Sequence, residues 1–243
     1  MTCVGARNTS FRGRTLAGMT PDPPAQGPKP HDPPPPPPRL AGALRRLPPS
    51  CGPVRLIAVD GHAGSGKSTF ARHLAEALGG APVLRLDDIA SHGELFDWTD
   101  RLRRWVLRPL ALGETARFTT YDWVERRFGP AEQTLPPDPV VIVEGVGAGR
   151  AALRPHLAAL LWMDVTREAA WRRGRLRDGT AQRGFWDGWE PAELRHFTED
   201  PSRPFADVLV RQFPEGYEVL PGPCGTSVGT QLVTECEGPS AVR

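Results

Sequence analysis

The chain has 243 residues, a length that one α/β domain with flanking segments fills. Hydrophobic content of 39% and charged content of 24% are ordinary for a globule in water, and a formal net charge of +2 gives no basic excess of the kind nucleic-acid binding needs. No apolar run approaches the ~18 residues of a membrane-spanning helix; the longest are 140–143 and 157–163.

The first 50 residues hold 13 of the 28 prolines, six of them consecutive at Pro33–Pro38. Such a run favours polyproline II and removes backbone donors. Residues 1–50 are therefore expected to be a disordered extension, with translation starting at Met1 or at Met19. Their first twenty residues carry Arg, Ser and Thr without an acid, a composition some targeting sequences share, but no apolar segment of a secretory signal. Cys3, Cys51, Cys224 and Cys236 form no close metal-ligand pair and read as free thiols of a reducing, cytoplasmic compartment.

From residue 51 the pattern alternates. RLIAVD at 55–60 reads as a strand, and 67–78 as a helix with Phe70, Leu74 and Leu78 on one face. A strand is expected at 82–86 and a helix at 100–112. The unbroken apolar run 140–143 suits a strand covered on both faces. Strand 160–164, an Arg-rich helix over 167–178 and a last strand at 206–210 follow. This order predicts a three-layer α/β domain over residues 51–214 with a central parallel sheet. Residues 215–243, rich in Gly, Pro, Ser and Thr, read as a disordered tail.

The sharpest signal is Gly61-His62-Ala63-Gly64-Ser65-Gly66-Lys67-Ser68, followed by Thr69. It fits the phosphate-loop pattern in the required strand–loop–helix context. Glycines let successive N–H groups turn inward on phosphate oxygens, and the helix N-terminus adds free donors. Lys67 would sit on the β/γ-phosphates and Ser68 on Mg²⁺. Of 30 basic residues only Lys29 and Lys67 are lysines, which singles out Lys67. The loop implies ATP–Mg²⁺ but does not separate kinases from other users of triphosphates.

Asp87 and Asp88 close the second expected strand. There a carboxylate can orient an acceptor hydroxyl and take its proton, or it can simply cap a helix. Glu144 ends the buried run 140–143 and needs a partner: Mg²⁺ or its water, or else an Arg or backbone N–H groups. Trp98, Tyr121 and Trp123 are equally readable as stacking platforms and as ordinary core aromatics.

The order of phosphate loop, Asp pair, Tyr121-Asp122-Trp123, Glu144-Gly145 and Arg-rich helix resembles the uridine/cytidine kinases and their phosphoribulokinase relatives, over about 54–211. The resemblance implies a P-loop kinase fold with a helical lid. It makes Asp87 the catalytic acid beside Asp88, and puts Tyr121, Asp122 and Trp123 in the acceptor pocket. It makes Glu144 the metal-side acid and makes Arg173, Arg177 and Arg183 lid arginines over the phosphates. Without it, the arginines read as a solvated basic face or an RNA patch.

Two departures fall on the acceptor side: Ile89-Ala90-Ser91 replace the family's aromatics after the catalytic Asp, and Arg126 stands where a base-contacting His is usual. The reaction implied is transfer of the γ-phosphoryl group of ATP to a hydroxyl of a nucleoside such as uridine or cytidine. The other readings are a kinase for another small hydroxyl compound and a nucleotide-binding regulatory module without turnover. The partners expected are a small-molecule acceptor and, in a homo-oligomer, a second copy; nucleic acid and membrane are not expected.

Overall fold

The computed structural model describes residues 36 and 38–237, without the side chains of residues 38 and 235–237. The expectations for residues 1–35, including Cys3 and the choice of start, lie outside the described residues.

Six strands form the central sheet: β1 (Arg55–Asp60), β2 (Val83–Arg85), β5 (Val140–Glu144), β6 (Ala159–Met163), β7 (Val208–Phe213) and β8 (Gly216–Pro221). Their spatial order is β2-β5-β1-β6-β7-β8, parallel except for β8, which turns back antiparallel on β7. Every residue of β5 and β6 is buried, as two-sided cover requires. One face carries α1 (Pro38–Arg46), α2 (Lys67–Ala77) and α8 (Ser227–Glu237), packed through Leu40, Leu44, Phe70, Leu74 and Leu232. The other face is covered by α3 (Leu86–Ile89) and by a helix built of α4 (Thr99–Leu102), a π-helical turn (Arg103–Leu107) and α5 (Arg108–Ala111). Pro109 has no N–H for a bond back to the Trp105 carbonyl, and a widened turn before it accommodates that loss. The three-layer α/β fold is thus present, as a mixed rather than wholly parallel sheet.

The structure departs from the sequence reading at both edges of the domain. Residues 38–46, expected within the disordered extension, are a helix whose Leu40, Ala43 and Leu44 are fully buried. Residues 216–221 and 227–237, expected as tail, add β8 and α8, with Tyr217, Val219, Leu232 and Val233 in the core. These short apolar sets bury against the sheet edge, and that burial overrides the Gly/Pro content around them.

A second, two-stranded sheet went unread. In it β3 (Ala116–Asp122) pairs antiparallel with β4 (Arg127–Leu135), with a register shift between Thr119 and Tyr121. Beyond β6 come α6 (Arg167–Asp178), with the bounds expected, and α7 (Arg183–Glu199). They pack where the Trp186 ring abuts Gly174: a Cβ there would stand 2.3 Å from the ring. No helix among the described residues is long and apolar enough to cross a membrane. Cys51 and Cys224 are free thiols, and burial pushes the Cys51 thiol pKa up.

Candidate active site

The phosphate loop leaves the C-terminal end of β1. Asp60, fully buried, fastens it there. Its Oδ1 accepts from the Gly61 N–H at 2.7 Å and the Gly147 N–H at 2.9 Å, and its Oδ2 from the Gly149 N–H at 2.8 Å. Burial pushes its carboxyl above the usual range; these N–H bonds and the Lys67 charge work against that. One side chain thus joins the loop to the segment after β5. Sequence reasoning took Asp60 as a plain strand end.

Gly64 and Gly66 adopt φ of 83° and 95°, in the left-handed region. A Cβ on Gly64 would lie 2.1 Å from the Ala170 carbonyl oxygen, so the loop touches the backbone of α6 directly. The Lys67 ammonium donates to the carbonyls of Gly61 and His62, both at 2.9 Å. It is buried within its own loop, and it starts α2 with Gly66 as N-cap. Ser65 is buried, Ala63 and Thr69 are half-buried, and Ser68 is exposed at the loop's mouth.

Ser68 hydrogen-bonds Glu144, whose carboxyl is pushed up chiefly by burial and also by the Asp87 charge, against the pull of Lys67 and Arg85. Arg85 lies between the acids, 3.5 Å from Glu144 and 3.8 Å from Asp87. A buried carboxylate beside a hydroxyl and a second carboxylate is an all-oxygen donor set of the hardness Mg²⁺ prefers. No group of three or more His, Cys, Asp or Glu able to hold a metal occurs among the described residues. A Mg²⁺ ion that takes most of its ligands from phosphate and water needs none.

Asp87 and Asp88 are not the end of β2 but the first turn of α3. Asp87 is exposed towards the cleft, while burial, then Asp87 itself, raises the Asp88 carboxyl against the charge of Arg85. Gly145 at φ 148° makes this possible, since any Cβ would meet Leu86 at 2.7 Å.

The β3–β4 hairpin brings aromatics to the same place. The Trp123 indole donates to the Asp87 carbonyl at 3.0 Å. Tyr121 packs edge-on to Trp123 and to Phe128. His92, unread in the sequence, pairs its Nδ1 with the Tyr121 hydroxyl at 3.1 Å and packs 4.9 Å from Trp123. Phe185 of α7 meets Trp123 from the lid side. His92, five residues after Asp87 and next to Ile89-Ala90-Ser91, thus adds a ring to this cluster. Asp122 is a turn former here, since its Oδ1 accepts from the N–H groups of Val124 and Glu125 at 2.9 and 2.8 Å. Arg126 closes that turn at φ 55°, exposed, with its charge felt by His92. Trp98 is core, buried beneath the Arg150 guanidinium at 4.4 Å.

Among the lid arginines, Arg173 and Arg183 are exposed. Arg177 is paired through two nitrogens with its neighbour Asp178, at 2.6 and 3.0 Å, and feels the Asp87 charge. Arg175 is tied to Glu190 and Asp187. The helices therefore hold a reserve of charge above the loop, part of it already neutralised by local acids.

No family model matches the chain. A uridine kinase from Deinococcus deserti is 28% identical over 183 residues, covering 64% of this chain and 86% of the relative. A solved structure from Bacillus stearothermophilus, described as a "Possible Uridine Kinase", superposes with a TM-score of 0.50 at 18% identity. It covers 70% of this chain and 96% of its own. Phosphate loop and sheet order agree with these likenesses, and the chain resembles the uridine kinase-like group of P-loop kinases.

Proposed function

We propose that this protein is an ATP-dependent kinase that phosphorylates a hydroxyl of a pyrimidine nucleoside. The observation that carries the reading is the joining of two half-sites at Asp87. Its carboxylate shares Arg85 with Glu144 on the phosphate side, and its carbonyl holds Trp123 on the aromatic side. A hydroxyl compound carried on a flat ring fits between them, the ring against His92, Tyr121 and Trp123 and the hydroxyl at Asp87.

The roles follow from position. The loop from Gly61 to Thr69 receives the triphosphate, through those of its amides that Asp60 and Glu193 do not already hold, and the Lys67 ammonium exchanges the Gly61 and His62 carbonyls for β/γ-phosphate oxygens. Ser68 and Glu144 would hold Mg²⁺, which, when bound, neutralises charge on the phosphates. Asp87 orients the acceptor hydroxyl and takes its proton as the phosphorus–oxygen bond forms and ADP leaves; Asp88 supports it. Arg173, Arg177 and Arg183 offset charge on the transferring group, and the lid keeps out water that would compete as acceptor. Tyr121, Asp122, Trp123 and Arg126 shape the acceptor pocket.

The test is ADP release with Mg²⁺ and ATP over a panel of nucleosides, sugars, sugar phosphates and pantothenate-like compounds. Turnover with uridine or cytidine is expected. Turnover confined to anionic acceptors would favour the second reading, motivated by exposed Arg126 beside the pocket. Binding of ATP without any turnover would leave a regulatory module.

A further inference from the structure

Glu193, in the middle of α7, has a side chain wholly shielded from solvent and plays no part in the transfer described above. Its Oε1 lies 2.7 Å from His62 Nδ1 and accepts from the Trp171 indole at 3.0 Å. Its Oε2 accepts from the Ala63 N–H at 3.1 Å and the Trp189 indole at 2.7 Å. Two of these donors belong to the phosphate loop, one to α6 and one to α7. A buried carboxylate with two donors on each oxygen is satisfied only while all three segments keep their places. Burial pushes its carboxyl up, but the bonds from His62 and Trp189 and the Lys67 charge prevail and hold it below the usual range.

The surroundings are built around this contact. The His62 ring is wedged edge-on between Trp162 and Phe197, both just over 5 Å away. Trp171 adjoins Ala170, whose carbonyl faces Gly64. Ala63 directly precedes the amides that would receive phosphate.

We propose that Glu193 is a positioning residue that locks the phosphate loop to the lid, so that seating a triphosphate and setting α6 and α7 are one event. The inference rests on the reading of the loop as the ATP site. Glutamine in its place would present an NH₂ group to one pair of donors, so the lock cannot survive that change although the shape does.

The test compares wild type and Glu193→Gln by calorimetry with Mg²⁺ADP, by tryptophan fluorescence during the same titration, and by kcat and KM for each substrate. Expected for Glu193→Gln are at least ~10-fold weaker nucleotide binding, loss of the nucleotide-induced fluorescence change that Trp171 and Trp189 report, and an unchanged acceptor KM. A purely structural role would lower the melting temperature yet leave affinity and fluorescence response as in wild type, and that result overturns the proposal. Should Glu193→Gln not fold, His62→Phe removes the side-chain donor of the loop and leaves the Ala63 N–H, and must show the same two losses in weaker form; wild-type behaviour there also overturns it. Failure of wild type itself to bind nucleotide would remove the parent reading and this inference with it, whereas binding by wild type with an unaltered variant removes this inference alone.

Discussion

The indole of Trp123 is hydrogen-bonded to the main-chain carbonyl of Asp87 at 3.0 Å, so the residue that would meet the acceptor ring is fixed to the residue that would meet its hydroxyl. Trp123→Ala removes the ring and that tether together. The expected result is a rise of about 5- to 100-fold in acceptor KM, the scale of one base–aromatic stack, with KM for ATP unchanged. Steady-state kinetics with each substrate varied in turn would check it; a rise in both would point to collapse of the hairpin instead.

Asp87→Asn keeps the shape of the site and removes a proton acceptor. Turnover should fall by ~10²–10⁴ while Mg²⁺ATP still binds as in wild type by calorimetry, because Lys67, Ser68 and Glu144 are untouched. Retention of turnover would reassign the base, with Asp88 the next candidate.

Lys67→Ala takes away the ammonium now parked on two loop carbonyls. With no other lysine in the described domain to replace it, turnover should drop by at least ~10², measured as ADP release at saturating acceptor.

Gly64→Ala puts a methyl group against the Ala170 carbonyl at a backbone angle L residues avoid. Nucleotide binding should be lost with a fall in melting temperature. Gly179→Ala serves as control: its backbone angle is also in the left-handed region, but nothing lies within 4 Å of the new methyl, so the nucleotide affinity should stay.

His196, on α7, is stacked on Phe96 and set 3.3 Å from Arg150. Burial first, then the Arg150 charge, lowers its pKa from 6.5 to about 4, against the opposing charges of Asp200 and Glu193. The neutral ring is the folded form. The stability this gives is complete above the unfolded value of 6.5 and is lost as pH falls from there through about 4. Unfolding free energies from urea titrations at pH 7.5 and pH 5 should differ by roughly 1–2 kcal/mol through this group, and His196→Gln should flatten that difference.

Much of this site could be read from residue order alone. The loop, the acid that ends a buried β5 and the bounds of α6 announce themselves, because each couples a local pattern to a nearby chemical need. The hairpin does not: β4 is exposed at most of its positions, so it has no apolar alternation to betray it. His92 was hidden because its partner Tyr121 is 29 positions away. Glu193 looks like any surface acid on a helix until Trp171, Trp189 and the loop close round it; the single hint is its spacing of four from Trp189. α1 was legible in Leu40, Leu44 and Leu47, but the prolines before it drew the eye.

The near-contact between Gly64 and the carbonyl of Ala170 also says where movement has to come from. A helix already pressed on the loop at its first turns cannot swing about that end. The freedom left is at the far corner, where Gly179 stands clear of its neighbours with a positive φ and the chain turns into α7. On the kinase reading the roof would be clamped at the phosphates and would give at the rim, so an acceptor would arrive and depart beneath the rim while the nucleotide stays gripped.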